Sequence, residues 1–161
     1  MSEIEFIQLL STNQGIIHKI CHVYGNNKDD KDDLFQEIAF HAWKGYANFK
    51  GNSKFSTWLY RIALNVALTS FRKKRADIHY VPELPDFITD EEDTDQKVRQ
   101  AALLAAIKQL NEIDSAIITL YLEELSYHEI ADIMGISQNN VGVKINRIKL
   151  KLQNLLKNGN N

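Results

Sequence analysis

The sequence is poor in residues that stop helices and in those that staple small folds. It has one cysteine, Cys21, so an internal disulfide is excluded, and a lone thiol fits a reducing compartment. Its two prolines, Pro82 and Pro85, sit close together, which leaves both flanks able to run as helices. Alternating β-branched runs are scarce, and the expected fold class is all-α. No apolar run reaches the roughly 18 residues of a membrane span, so no membrane insertion is expected. The first residues lack the basic stretch and apolar core of a secretory signal, and the expected location is cytoplasmic. A glycine-rich phosphate loop, a metal-ligand cluster and a nucleophile–base spacing are all missing. His18, Cys21 and His22 share helical spacing, but no further Cys or His cluster completes a metal site around them. No enzyme activity, catalytic residue, metal or cofactor is therefore expected.

Acidic charge is missing from two long stretches. Residues 38–75 carry eight basic side chains and no acidic one, and residues 137–161 carry five basic and no acidic. Acidic segments separate them, so the net charge of −2 hides two basic blocks. A nucleic-acid binder with two contact surfaces needs this distribution. In the first block the cations are interleaved with Phe40, Trp43, Tyr46, Phe49, Phe55 and Trp58, with Tyr60 and Phe71 beyond. A basic surface attracts phosphates, and aromatic rings on it can stack against unpaired bases. Asp32, Asp33 and Glu37 stand just ahead of that block. Nothing supplies a matching pocket or a second acidic cluster, so they read as a solvated or protein-binding face. An acidic front leading into a basic, aromatic back suggests one partner for each sign of charge.

Helical spacing and capping residues divide the chain. Helices are expected over 2–10, opened by a Ser2/Glu5 capping box, and over 14–24, stopped by Gly25. A third follows a cap at Asp29 or Asp30, with Leu34, Phe35, Ile38, Ala39, Ala42, Trp43 and Tyr46 as its apolar stripe. A polar loop over 48–53 contains Gly51, and a fourth helix spans 55–74, with Trp58, Leu59, Ile62, Ala63, Val66, Ala67 and Phe71 inward. Residues 76–94 hold both prolines and the acidic run 90–93, and read as a flexible linker. A helix with Val98 and its apolar followers runs to about 109, and Asn111 caps the next, which runs to about 123. A capping box at Ser126 and Glu129, core-spaced Ile130, Ala131 and Met134, a turn at Gly135 and a cap at Ser137 then spell a helix-turn-helix. Its second helix opens with Gln138, Asn139 and Asn140, whose amides can read base edges, while Lys144, Arg147, Lys149 and Lys151 can reach phosphates. The residues from 157 onward are expected to be disordered. The expected domains are thus 1–75 and 95–157, joined by the linker.

At this point a resemblance applies. DDLFQEIAFHAWKGYANFKGNSKFSTWLYRIALNVALTSFRKKR resembles region two of the sigma factors of bacterial RNA polymerase, and LSYHEIADIMGISQNNVGVKINRIKLKLQNLL resembles region four. The chain is similar to the small extracytoplasmic-function type over about residues 5–75 and 97–156. The resemblance implies a promoter-specificity subunit with core RNA polymerase and promoter DNA as partners. Asp33, Gln36 and Glu37 would dock on the clamp helices of the largest subunit, and region four would meet the flap. Phe49, Lys50, Asn52 and Phe55 would hold a flipped base during melting. Tyr60, Arg61, Asn65, Thr69 and Arg72 would face the downstream (minus-ten) element. Ser137, Gln138, Asn139, Asn140, Lys144 and Arg147 would face the upstream (minus-35) element. An anti-sigma factor is an expected regulator. Gly142 departs from a good helix former inside the reading helix, and implies either close backbone approach to DNA or weak binding. The competing expectation is a stand-alone helix-turn-helix regulator, which would bind duplex DNA tightly without polymerase.

Overall fold

The computed structural model describes residues 3–77 and 94–159. The expected linker over 76–94 falls almost wholly outside them, as does the expected Ser2 cap. Eight α-helices fill the described residues, and none of those residues forms a strand. They are α1 (Glu3–Thr12), α2 (Gln14–Tyr24), α3 (Lys28–Tyr46), α4 (Phe55–Asp77), α5 (Thr94–Lys108), α6 (Glu112–Leu122), α7 (Tyr127–Met134) and α8 (Gln138–Gly159). The fold is all-α, in two helical units: α1 to α4 make one, and α5 to α8 the other. Helix α8 continues through residues 157–159, which were expected to be disordered.

In the first unit α2, α3 and α4 pack against one another, and α1 leans on α2. Leu34, Ile38, Ala42 and Tyr46 recur every four residues on α3 and are buried. They meet Ile17 and Ile20 of α2 and Leu59, Ala63 and Ala67 of α4 in the core. Burying each large aliphatic side chain fully stabilises the fold by about 1.5–3 kcal/mol. Trp43 is a correction: expected in the stripe, it is 45% exposed. It flanks the four-residue row, and the ring of Phe6 from α1 lies 5.2 Å away. The cap of α3 is also corrected. Asn27, not Asp29 or Asp30, closes it, its Oδ1 accepting the Asp30 N–H at 2.8 Å. Both aspartates then stand in the first turn, where the helix dipole favours them. Gly25 does end α2, in an extended conformation. What requires glycine there is space: a Cβ would come within 2.7 Å of Lys31 Cγ and 2.8 Å of the Cys21 carbonyl oxygen.

In the second unit α8 packs on α5, α6 and α7. Val141, Ile145, Ile148 and Leu152 form its buried row, against Ile107, Ile117, Leu120 and Ile130. The Asn111 cap is present, its Oδ1 accepting the Asp114 N–H at 2.8 Å. Ser115 Oγ donates to the Ile107 carbonyl at 2.9 Å and ties α6 to α5. Val98 is 52% exposed, since α5 buries Ala106 and Ile107 toward its other end. One expected core position differs. Ile133 is buried on α7 while Met134 is only half-buried at the helix end.

Candidate nucleic-acid interface

The residues that bury α3 also decide what it shows to solvent. With positions 34, 38 and 42 inward, Asp33, Gln36 and Glu37 are exposed together on the opposite side. Phe40 continues this face, 56% exposed, with the Lys44 ammonium 5.2 Å from its ring centre. The basic end of α4 does not stand wholly apart from the acids. Lys74 Nζ donates to Asp30 Oδ1 at 2.9 Å, across a cleft of about 210 Å³ lined by Tyr24, Asp33, Glu37 and Phe71 among others. Among the described residues no group of three His, Cys, Asp or Glu side chains is placed to hold a metal ion.

The loop between α3 and α4 is anchored by rings. Tyr46 and Phe49 stack at 6.0 Å and 19°, Phe49 meets Phe55 edge-on at 5.9 Å, and Trp58 lies 5.1 Å from Phe49 and 5.3 Å from Phe55. Aromatic pairs in these geometries each add about 0.5–1.5 kcal/mol beyond burial. Phe55 is therefore buried and Phe49 half-buried, while Lys50, Gly51 and Asn52 are exposed at the tip. Gly51, with φ 75°, makes the turn that a side chain would strain. Four of the aromatics that sequence put forward as a stacking surface, Tyr46, Phe49, Phe55 and Trp58, thus hold one another and brace the tip, while Phe40 and Trp43 stay exposed. Along α4, Arg61, Asn65, Thr69 and Arg72 recur at helical spacing on one side, Arg61 half-buried and the others exposed. Tyr60 does not join them: it is 5% exposed, turned inward beside the Leu59 row.

Local capping builds the helix-turn-helix. Ser126 Oγ accepts the Glu129 N–H and Glu129 Oε1 accepts the Ser126 N–H, both at 3.1 Å. Gly135 ends α7 in the left-handed region, φ 70°, its N–H donating to the Ala131 carbonyl at 2.8 Å. Ser137 Oγ accepts the Asn140 N–H at 3.1 Å and opens α8. Burial of Val141, Ile145 and Ile148 leaves Gln138, Asn139, Asn140 and Arg147 exposed, with Lys144 half-buried. Ser137 is exposed too, but its oxygen is engaged as the cap. Gln138 is not alone either: its Nε2 lies 2.8 Å from Nδ1 of His128 on α7. Sequence reading missed His128, and no periodic signal marks a pair ten residues apart across a turn.

Three residues of α8 read for DNA contact have neighbours within their own unit. Lys149 donates to the Tyr121 hydroxyl at 2.8 Å and lies 4.5 Å from that ring's centre. The hydrogen bond raises the Lys149 pKa above the ordinary lysine value. Lys151 likewise turns to α6 and pairs with Asp114 at 3.6 Å. At Gly142 a Cβ would lie 3.4 Å from Cε2 of Tyr127. That is ordinary van der Waals contact, and the Tyr127 ring in turn meets Tyr121 at 6.4 Å.

One unit thus carries an acidic face, a loop tip and a polar row with cations at its ends, and the other a capped helix-turn-helix. A protein-docking surface, a surface for melted strand and a surface for duplex have these characters. Sequence models of sigma-70 region 2 and sigma-70 region 4 match residues 9–76 and 100–152. The chain is 27% identical over 166 residues to the ECF RNA polymerase sigma factor SigW of Bacillus subtilis, covering 94% of this chain and 89% of that one. It is 30% identical over 128 residues to the RNA polymerase sigma factor YlaC of the same organism, covering 75% and 74%. Its fold is similar to that of the sigma factor RpoE of Bartonella quintana, solved with the anti-sigma factor NepR. The TM-score is 0.79 at 22% identity, over 95% of this chain and 97% of that one. The chain belongs to the sigma-70 family, as an extracytoplasmic-function sigma factor that binds core RNA polymerase and directs promoter recognition and melting for transcription initiation.

Proposed function

We propose that the two units divide this work by residue. Asp33, Gln36 and Glu37 dock on the clamp helices of the largest polymerase subunit. Their charge suits a basic partner, and their exposure opposite the core row of α3 supports the role. Lys50 and Asn52, at the exposed tip, meet the flipped base, while Phe49 and Phe55 hold the tip in shape. Flipping costs a few kcal/mol, which a fitted pocket offsets. Arg61, Asn65, Thr69 and Arg72 line the downstream element, with Tyr60 supporting them from inside the helix bundle. Gln138, Asn139 and Asn140 read upstream base edges, and Lys144 and Arg147 meet phosphates; Ser137 shapes the helix start. Region two corresponds to 1–75 and region four to 95–157, the latter also meeting the polymerase flap.

The observation that carries this reading is the first unit, where an exposed acidic face on α3 stands in one fold with the loop tip and the α4 row. A stand-alone regulator has no use for that combination. Polymerase and chromosome share the cytoplasm, so the protein acts there. The fold likeness to a sigma factor solved with an anti-sigma factor supports a regulator of that class for this chain.

The test is transcription by the matching core polymerase on fragmented genomic DNA, with mapping of starts. New starts sharing two spaced upstream elements are expected. Glu37→Arg should abolish them together with core binding. Gln138→Ala should leave core binding intact and relax base preference in the upstream element. Core binding unchanged by Glu37→Arg and by Asp33→Arg would remove the docking role.

A further inference from the structure

The unexplained contact in the reading helix is the one between His128 and Gln138. Both side chains are exposed, yet Gln138 Nε2 and His128 Nδ1 are 2.8 Å apart. The backbone leaves this pair little freedom. The capping box sets the start of α7, left-handed Gly135 sets its end, and the Ser137 cap sets the start of α8. His128 and Gln138 each follow within two residues of a capped position. The turn therefore delivers the imidazole to the side of the first amide that α8 presents.

We propose that His128 is a specificity-determining residue, which fixes the orientation of the Gln138 amide and so selects the base edge that Gln138 reads. The inference rests on Gln138 meeting a base of the upstream element. A glutamine amide has two donor hydrogens on Nε2 and an acceptor at Oε1. With the imidazole hydrogen on Nε2, Nδ1 of His128 accepts one amide hydrogen. One N–H and Oε1 then remain, side by side. That donor–acceptor pair matches adenine, whose N7 accepts and whose N6 donates in the major groove. In that tautomer, turning the amide over would set Oε1 against the lone pair of Nδ1, a repulsive contact. A glutamine without this neighbour would present both orientations and would have to be ordered on binding. His128 removes that cost before DNA arrives, and it does so for one pattern of base edge. Lysine or arginine on phosphate cannot do this, because phosphates carry no sequence information directly.

The test uses holoenzyme transcription from a promoter library carrying all four base pairs at each upstream-element position. Gln138→Ala identifies the position that Gln138 reads, as the one whose adenine preference disappears. His128→Ala should reduce the preference at that same position by about three- to tenfold, the usual range for ordering one mobile side chain. His128→Asn, which keeps an acceptor near the place of Nδ1, should retain most of it. In the Gln138→Ala background, His128→Ala should add nothing. A loss of transcription spread evenly over all sequences in His128→Ala would mark a phosphate or structural role and overturn the proposal. So would an undiminished preference in His128→Ala with Gln138→Ala still acting, which leaves Gln138 as a reader and removes only His128. If Gln138→Ala changes no preference anywhere, the reading role of Gln138 falls and the inference with it.

Discussion

Replacing Gly142 by alanine separates two accounts of the glycine in α8, the helix proposed to read the upstream element. If the glycine lets the backbone approach DNA, a methyl there harms binding. The structure aims the missing side chain elsewhere. An alanine Cβ would stand 3.4 Å from Cε2 and 3.8 Å from Cδ2 of Tyr127, close to ordinary van der Waals contact. Glycine in a helix interior is about 0.8–1.0 kcal/mol less favourable than alanine. A small adjustment of the ring takes back part of that gain, so Gly142→Ala should stabilise the second unit by about 0.5–1 kcal/mol. With a urea dependence of about 1 kcal/mol/M for a small unit, its midpoint should rise by about 0.5–1 M. The assay has an internal control. Both tryptophans, Trp43 and Trp58, lie in the first unit, so their fluorescence should follow its unfolding alone. Far-ultraviolet circular dichroism follows both units. The fluorescence midpoint should stay in place while the second dichroism component moves up. Transcription and upstream-element preference should be unchanged. Lower stability would refute the packing argument, and lost promoter preference in a stabilised variant would restore the DNA-approach account.

Gly25→Ala should act in the opposite sense. Its Cβ would lie 2.8 Å from a backbone oxygen, which cannot step aside like a side chain, so a loss of about 1–3 kcal/mol is expected in the first unit, read by the tryptophan-monitored melt. Burial pushes the Cys21 thiol from its ordinary 9.0 to about 11, with Lys31 lowering it and Asp32 raising it by smaller amounts. The folded state then holds a proton that the unfolded chain releases, so stability should be fully present below 9.0 and fall as pH rises to about 11. Cys21→Ala should flatten that decline in urea titrations across the interval, and an unchanged slope would disprove the linkage. Lys144→Ala should reduce the salt slope of holoenzyme binding to promoter DNA by about one, whereas Lys149→Ala should leave it unchanged. A reduced slope in Lys149→Ala would return that lysine to the phosphates.

Much of the architecture was legible because it is local. The Ser126/Glu129 box, the left-handed Gly135, and the Asn111 and Ser137 caps each involve residues within one turn of helix, and all are present as read. The row Leu34–Ile38–Ala42 was read from helical spacing alone. Competition within a segment was harder to resolve. Asn27 caps α3 in place of either aspartate that follows it. Trp43 and Tyr60 exchanged their expected sides, because a neighbouring row one residue away took the centre of each buried face.

The sequence by itself determined the helices, the caps of the helix-turn-helix, the separation into two basic blocks and the resemblance that names the family. Each depends on residue type, on spacing along one helix or on charge summed over a stretch. Only the tertiary structure decided which of the exposed-looking groups were already engaged. Lys149 rests on Tyr121, Lys151 faces Asp114, Lys74 reaches Asp30, and His128 holds Gln138. The first three pairs lie far apart in the chain and the fourth is joined across a turn. A hydrogen bond or ion pair forms at about three to four ångströms or not at all, and helical periodicity carries no information about that distance between two different helices.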